Sequence, residues 1–465
     1  MFKDIPVDVG LVHAGERIRK TDMYVELGGP DIEEKFELVR VRTLNQVTDG
    51  SINIIGPDIS AMETGNKYPL GILVEIAGKD LEEDIEGVIE RRIHEYTNYI
   101  EGFMHLNQRY DIWARVCKKA FNRRFTSLRF VGMVLERLLK NELPLIERIQ
   151  ITFYTDAEKI SPVYTEARSV YEARDARARG LTDDDVDVFY GCALCQSFAP
   201  SHVCMITPQR YANCGAISWL DGRAAARIDP NGPIFAIEKG ECLDAEKGEF
   251  AGINESAKKR SLGEVNRIYL YSAFAFPHTS CGCFEGIAFY IPEVDGFGIV
   301  MRGYSAITVN GLPFSAMADS TGGGRQVDGF HGISLEYMRS PKFMIADGGY
   351  SRVVWMPSDL KEQAKEFIPV TLFDKIATEK DVKTVNELKE FLMSGSHPVV
   401  ERWKTEEQEI MSGEGEVRPA AIQVFARGDL PISTGCFRII LKNARIYADR
   451  VTVQAIKPKN VRKGE

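Results

Sequence analysis

Long apolar runs are missing from this chain. Nowhere do about 18 apolar residues follow one another, the length a membrane helix needs, and the most apolar stretch, 268–276, is short and stops at Pro277. The first twenty residues, MFKDIPVDVGLVHAGERIRK, hold no apolar core of signal-peptide length. A surplus of positive charge is missing too. Lys and Arg number 58 against 67 Asp and Glu, a net charge of −9, which argues against a general nucleic-acid binder. Repeats and low-complexity segments are absent. What remains is a cytoplasmic globular protein with no membrane association. At 465 residues, 44% hydrophobic and 10% aromatic, it is long enough for two or three domains with cores of their own.

Cysteine is also scarce, at nine residues, yet six of the nine stand in two places. GCALCQSFAPSHVCMITPQRYANCG carries Cys192, Cys195, Cys204 and Cys214, and a Cys-Gly-Cys follows at 281–283. Cytoplasmic thiols stay reduced, so clustered cysteines read as metal ligands before they read as disulfides.

The periodicity predicts an α+β (mixed α/β) chain: two consecutive α+β domains and a small C-terminal β appendage. Residues 1–160 form the first domain, with strands at 36–41, 68–76 and 149–153. A helix runs on from Leu81 with Ile85, Val88, Ile89, Ile93 and Tyr96 at helical spacing, and another passes through Leu128, Val131, Val134, Leu135 and Leu138. A connector at 161–180, with alternating charges in TEARSVYEARDARARG, reads as a solvated helix. Thr182 reads as the N-cap that opens a second domain, 181–404, with acids in its first turn. A charged, glycine-bearing linker covers 405–417, and AAIQVF, FRIIL and RVTVQA read as strands of the appendage, 418–465.

Four thiolates close in sequence can converge on one metal centre. On these four alone, a structural zinc site and a [4Fe–4S] cluster are equal readings. A CxxC redox pair lacks the βαβ surroundings it needs. The Cys-Gly-Cys changes the balance, because cysteines two apart are poorly placed to share a tetrahedral zinc. Their two sulfurs and the deprotonated amide nitrogens of Gly282 and Cys283 can instead lie in the plane that nickel(II) prefers. Glycine between them removes a Cβ that would crowd the chelate. An isolated Cys-Gly-Cys is more often a pair of buried free thiols; beside a four-cysteine set it is not.

These spacings resemble the A-cluster of the CO dehydrogenase/acetyl-CoA synthase family, in its archaeal acetyl-CoA decarbonylase/synthase β-subunit branch. The resemblance covers roughly 1–404 and extends through ADSTGGGRQVDGFHGISLEY and FMIADGGYSRVVWMPSDLK. It implies a CO-methylating acetyl-CoA synthase, an acyltransferase that assembles acetyl-CoA reversibly from CO, a corrinoid-bound methyl group and coenzyme A. Run backwards, that chemistry serves methanogenesis from acetate. By position, Cys192, Cys195, Cys204 and Cys214 match the ligands of the [4Fe–4S] cluster, and Cys195 also the bridge to a proximal nickel. Cys281 and Cys283 match the ligands shared by two nickel ions, with the Gly282 and Cys283 amides at the distal one. Phe198 and Trp113 match walls of the proximal pocket. Implied partners are CO dehydrogenase subunits and a corrinoid iron–sulfur protein. The bacterial enzyme's first domain has no counterpart here, which implies another route for CO.

RVCKKAFNRRFTSLR, 115–129, packs six cations without an acid. It reads equally as a coenzyme A phosphate site, with Arg115, Arg123 and Arg124, or as a solvated helix face. The resemblance favours the first. Gly322, Gly323, Gly324 and Arg325 read as a tight turn near the metal pocket, since no GxxxxGK[ST] is present. His278 reads as a polar loop residue, and Cys117, Cys242 and Cys436 as ordinary side chains. The competing reading is a non-catalytic iron–sulfur or zinc scaffold subunit, for which Cys281 and Cys283 would be idle. A corrinoid or radical methyl-transfer enzyme lacks its CxxxCxxC or D-x-H-x-x-G signature.

Overall fold

The computed structural model describes residues 2, 4–10, 18–106, 108–197 and 199–403. The expected linker, the β appendage, Cys436 and Phe198 lie outside the described residues. The class is α+β, as the periodicity predicts, and the described residues fall within one compact unit.

A mixed sheet holds the strands Lys35–Val41, Leu70–Ala77, Arg148–Tyr154 and Ser51–Ile55 in that order. The outer pairs run parallel and the central pair antiparallel, with Leu73 opposite both Leu38 and Thr152. A second sheet orders Lys67–Tyr68, Met23–Gly28, Trp113–Cys117 and Phe103–Leu106. The expected strand 68–76 is therefore two. Pro69, which has no N–H to give a ladder, separates Lys67–Tyr68 in one sheet from Leu70–Ala77 in the other.

The helix expected after Leu81 begins with the short turn Glu83–Ile85 and runs as Glu86–Thr97. Its apolar positions are buried as expected, but so is every other residue in it. A helix this polar survives at the centre only if its charges find partners. Glu86 and Glu90 meet Arg174, at 2.7 Å for Glu90, and Arg92 meets Glu95 at 2.7 Å.

Arg174 comes from the connector, which the structure draws as the helix Ala157–Ala178, capped by Asp156. The connector is solvated on one face, where Glu166, Arg168, Glu172, Arg177 and Arg179 are exposed, and buried on the other. Its Ile160, Ala167, Tyr171, Arg174 and Asp175 are buried, and Asp175 takes Arg109 at 2.8 Å. Of its charges, Arg174 and Asp175 feed an internal network while the others face water. Thr182 caps as expected, with Asp185 Oδ2 accepting from its N–H at 2.9 Å, but only the short turn Asp183–Asp185 follows.

Beyond the connector, Val188–Cys192 lies between Cys204–Ile206 and Ile234–Glu238, both antiparallel to it. A further sheet orders Phe330–Ile333, Gly286–Ile291, Gly296–Met301 and Val353–Trp355. Among the described residues no helix is long and apolar enough to cross a membrane.

Candidate metal centre

Strand register brings the first two thiols together. Cys192 ends Val188–Cys192 and stands opposite Cys204, the first residue of Cys204–Ile206; facing residues of such a pair hold their Cβ atoms about 4.5–5.5 Å apart. Cys195 lies in the short helix Leu194–Ser197 and Cys214 in the turn before Gly215. Burial pushes the Cys204 thiol up to about 11 and the Cys214 thiol up to about 12. It raises Cys192 well above the usual range, with the charges of Cys195, Cys204 and Cys214 adding to the effect. Neutral thiols sit comfortably here, and four thiolates need a cation among them.

The Cys-Gly-Cys reaches the same place from the other side of the sequence, held by four hydrogen bonds. Met205 N donates to His278 Nε2 at 2.8 Å, Asn213 Nδ2 to Thr279 O at 3.2 Å, Glu285 N to Asn213 O at 2.8 Å, and Gly324 N to Ser280 O at 2.8 Å. His278 is thus more than a polar loop residue. Because its Nε2 accepts, its proton sits on Nδ1, 2.7 Å from Thr279 O, and burial keeps the ring neutral.

Within the turn Gly282 has φ +95°, a conformation that costs an L side chain. Its N–H donates to Ser280 Oγ at 3.0 Å, and the Cys283 N–H to Cys281 Sγ at 3.2 Å. Arg302 clamps the carbonyls, donating from Nη2 to Gly282 O at 2.6 Å and from Nε to Phe284 O at 3.0 Å.

The two segments meet through sulfur. Cys195, Ala199 and Cys281 form one buried cluster, with Cys283 packed against it. The Cys281 thiol is shared between the sulfurs of Cys195 and Cys283, which lowers those two below the usual thiol range and raises Cys281 above it. Arg91, from the helix Glu86–Thr97, donates from Nη2 to Cys195 Sγ at 2.9 Å.

A cavity of about 770 Å³ opens on the turn, lined by Cys281, Gly282, Cys283, Trp113, His105 and Asp111. The Trp113 indole lies flat against Gly29, where a Cβ would come within 2.8 Å of the ring. Burial lifts the Asp111 carboxyl to about 6, with Lys35 and Arg302 pulling the other way. Gly322, Gly323 and Arg325 line the same cavity, where the sequence places a turn near the pocket.

The basic stretch 115–129 is not one helix face. It runs through the strand Trp113–Cys117, the helix Lys118–Asn122 and the start of Leu128–Glu142. Arg115 is engaged: Nε donates to Glu26 Oε2 at 2.6 Å, and its guanidinium lies 4.7 Å from the Trp113 ring. Arg123 and Arg124 are exposed, Arg123 3.3 Å from Glu101, and both line a separate cavity of about 430 Å³.

Among the described residues, no three His, Cys, Asp or Glu side chains already stand as a ligand set; the sulfurs are drawn together as hydrogen-bonded thiols. The donors nevertheless suit a metal. Six free thiols, four of them buried and two half-buried, converge with a buried guanidinium against them. Soft sulfur donors select iron–sulfur clusters, zinc or copper(I), and a plane of sulfur and nitrogen suits nickel(II). Arg91 and Arg302 are the residues sequence reasoning misses. In the sequence Arg91 is one of the pair Arg91-Arg92 and Arg302 stands among small and apolar neighbours, and no spacing marks either.

Comparison with known proteins agrees along almost the whole chain. The family described as CO dehydrogenase/acetyl-CoA synthase complex beta subunit matches residues 5–160, and the one described as the C-terminal part of the ACS/CODH beta subunit matches residues 171–404. The chain is 53% identical over 462 residues to the acetyl-CoA decarbonylase/synthase complex subunit beta of Methanothermobacter thermautotrophicus, covering 98% of this chain and 100% of that one. It is 53% identical over 458 residues to the corresponding subunit of Methanopyrus kandleri, with 97% of each chain covered. With subunit beta 2 of Methanosarcina thermophila the identity is 49% over 476 residues, covering 98% and 100%.

Proposed function

Because the chain belongs to the CO dehydrogenase/acetyl-CoA synthase complex beta subunit family, we propose that it is the subunit in which CO, a corrinoid-bound methyl group and coenzyme A combine reversibly into acetyl-CoA. In this reading Cys192, Cys195, Cys204 and Cys214 hold a [4Fe–4S] cluster. Cys281, Cys283 and the amides of Gly282 and Cys283 hold a distal nickel, and the sulfurs of Cys195, Cys281 and Cys283 hold a proximal one. The observation that carries the proposal is the packing of Cys195, Cys281 and Cys283 in one buried cluster, beside the cavity of about 770 Å³. Three sulfurs from two distant segments meet where a substrate can reach them.

When bound, the metals supply the carbon–carbon and carbon–sulfur bond making; the chain supplies position and a dry wall. Arg302 fixes the turn through the Gly282 and Phe284 carbonyls, leaving the Gly282 and Cys283 amides only local bonds to give up. Trp113 walls the pocket, and the resemblance gives Phe198 the same role. Arg115 steadies the indole while Arg123 and Arg124, exposed at the second cavity, receive the phosphates of coenzyme A. Residues 1–160 then form the coenzyme A-binding part and 181–404 the catalytic part. The chain works in the cytoplasm with CO dehydrogenase subunits and a corrinoid iron–sulfur protein.

The test is Cys283→Ala under anaerobic conditions. The expected result is loss of exchange between CO and the acetyl carbonyl of acetyl-CoA, with the iron–sulfur absorption kept. Retained exchange would make Cys283 idle and favour a scaffold.

A further inference from the structure

Among the described residues, the buried helix Glu86–Thr97 carries one arginine, Arg91, with no carboxylate partner. Its other ions are paired: Glu86 and Glu90 with Arg174, and Arg92 with Glu95 and Glu142. Arg91 is different. It is 1% exposed, Nη2 reaches Cys195 Sγ at 2.9 Å, and Nε and Nη1 have no hydrogen-bond partner among the described residues. Burial disfavours its charge, and the groups near enough to offset that cost are the sulfurs of Cys195, Cys283, Cys214 and Cys281.

Arg210, which also lies close to Cys204, differs in how far the chain satisfies it. It is also fully buried without a carboxylate, yet Nε, Nη1 and Nη2 all donate to neighbours, among them the carbonyls of Leu270 and Met205 and Asn213 Oδ1. All three Arg210 nitrogens are taken up by chain groups, whereas Arg91 keeps two spare nitrogens beside the one that meets sulfur. An uncompensated buried ion costs several kcal/mol, so such an arrangement is stable only if an anion completes it. A thiolate-ligated cluster is such an anion, and its sulfurs are the acceptors the spare N–H groups lack.

Resting on the reading above, we infer that Arg91 is a positioning residue for the centre: its guanidinium offsets the negative charge of the thiolate-ligated cluster and donates hydrogen bonds to its sulfurs, Cys195 Sγ first. The helix that bears it belongs to the part of the chain matched at 5–160 and the sulfurs to the part matched at 171–404, so the centre needs both parts. Cations and N–H donors at cluster sulfur favour the more negative, reduced state.

Arg91→Gln and Arg91→Lys, prepared anaerobically, test this with three readings: iron content, the reduction midpoint followed by cluster absorbance, and thermal unfolding of the metal-free chains. With four irons bound, R91Q is expected to lower the equilibrium constant for reduction at least tenfold, about 59 mV for a one-electron couple. R91K, which keeps the charge, shifts it less. Metal-free R91Q is expected to melt no lower than the metal-free wild type, because it sheds an uncompensated buried charge. Loss of iron from R91Q with that same melting behaviour is the stronger form of the expected result. An unchanged midpoint with four irons overturns the inference. So does a metal-free R91Q that melts lower or fails to fold, since Arg91 would then serve the chain and not the cluster. A wild-type chain that takes up no iron removes the reading beneath it, and the iron content alone distinguishes that case.

Discussion

At the scale of single residues, Gly282 and Arg302 set the shape of the turn between Cys281 and Cys283. A Cβ at Gly282 would find nothing closer than 3.8 Å, so only the +95° φ opposes a side chain. Gly282→Ala should therefore cost about 1–2 kcal/mol of backbone strain, with nickel content falling and iron content unchanged in metal analysis. Full nickel occupancy would show that the turn tolerates the strain. Arg302→Met removes two charge-assisted bonds to carbonyls, each worth about 1.5–3 kcal/mol; it should keep four irons and lose at least half of the nickel. Unaltered nickel content would show that the clamp is dispensable. The cysteines were legible because six sulfurs in fixed spacing admit few explanations. Arg91 and Arg302 were not, because an arginine looks the same in sequence whether it meets water, sulfur or a carbonyl.

At the scale of elements, burial contradicts the charge pattern. Glu86, Glu90 and Arg174 all leave water, and burial raises both carboxyls despite the arginine between them. Desolvation therefore outweighs the pairing, and the trio is better described as a fixed register than as a source of stability. Breaking it is another matter. Arg174→Met leaves two carboxylates buried at neutral pH and should cost about 3–5 kcal/mol in urea unfolding; a loss under 1 kcal/mol would mean that water reaches the site. Apolar spacing at Ile85, Val88, Ile89, Ile93 and Tyr96 found the helix. Its buried polar face was hidden, since periodicity reports the side that must be buried and says nothing of what covers the other. The connector was legible by half for the same reason: its alternating charges mark the face in water, and nothing in them marks Arg174 and Asp175, for which partner charges wait inside.

At the scale of the whole molecule, buried imidazoles make the fold sensitive to acid. Burial lowers His331 to about 3, with Arg210 adding to it, and His397 to about 4. His397 accepts from Val399 N at Nδ1 and so donates from Nε2 to Val353 O at 3.0 Å. Its folded value lies below the unfolded 6.5, so the unfolded chain binds more protons between the two. Its contribution, about 3 kcal/mol at most, is complete above pH 6.5 and lost as pH falls toward 4. The stability advantage of the wild type over His397→Gln should shrink across that window. Burial raises Asp221 and Asp347 to about 6, and these act in the opposite sense, so the comparison with the variant is the informative one. An advantage that stays constant from pH 7 to 4 would contradict the assignment.

The account depends on sulfurs from 192–214 and 281–283 enclosing one multinuclear centre. Metal analysis of the anaerobically isolated chain tests this most directly. Four irons and two nickels per polypeptide, with the nickels lost from Cys281→Ala while the irons stay, is the predicted result. One zinc per chain, no nickel, and no change in that variant would contradict it.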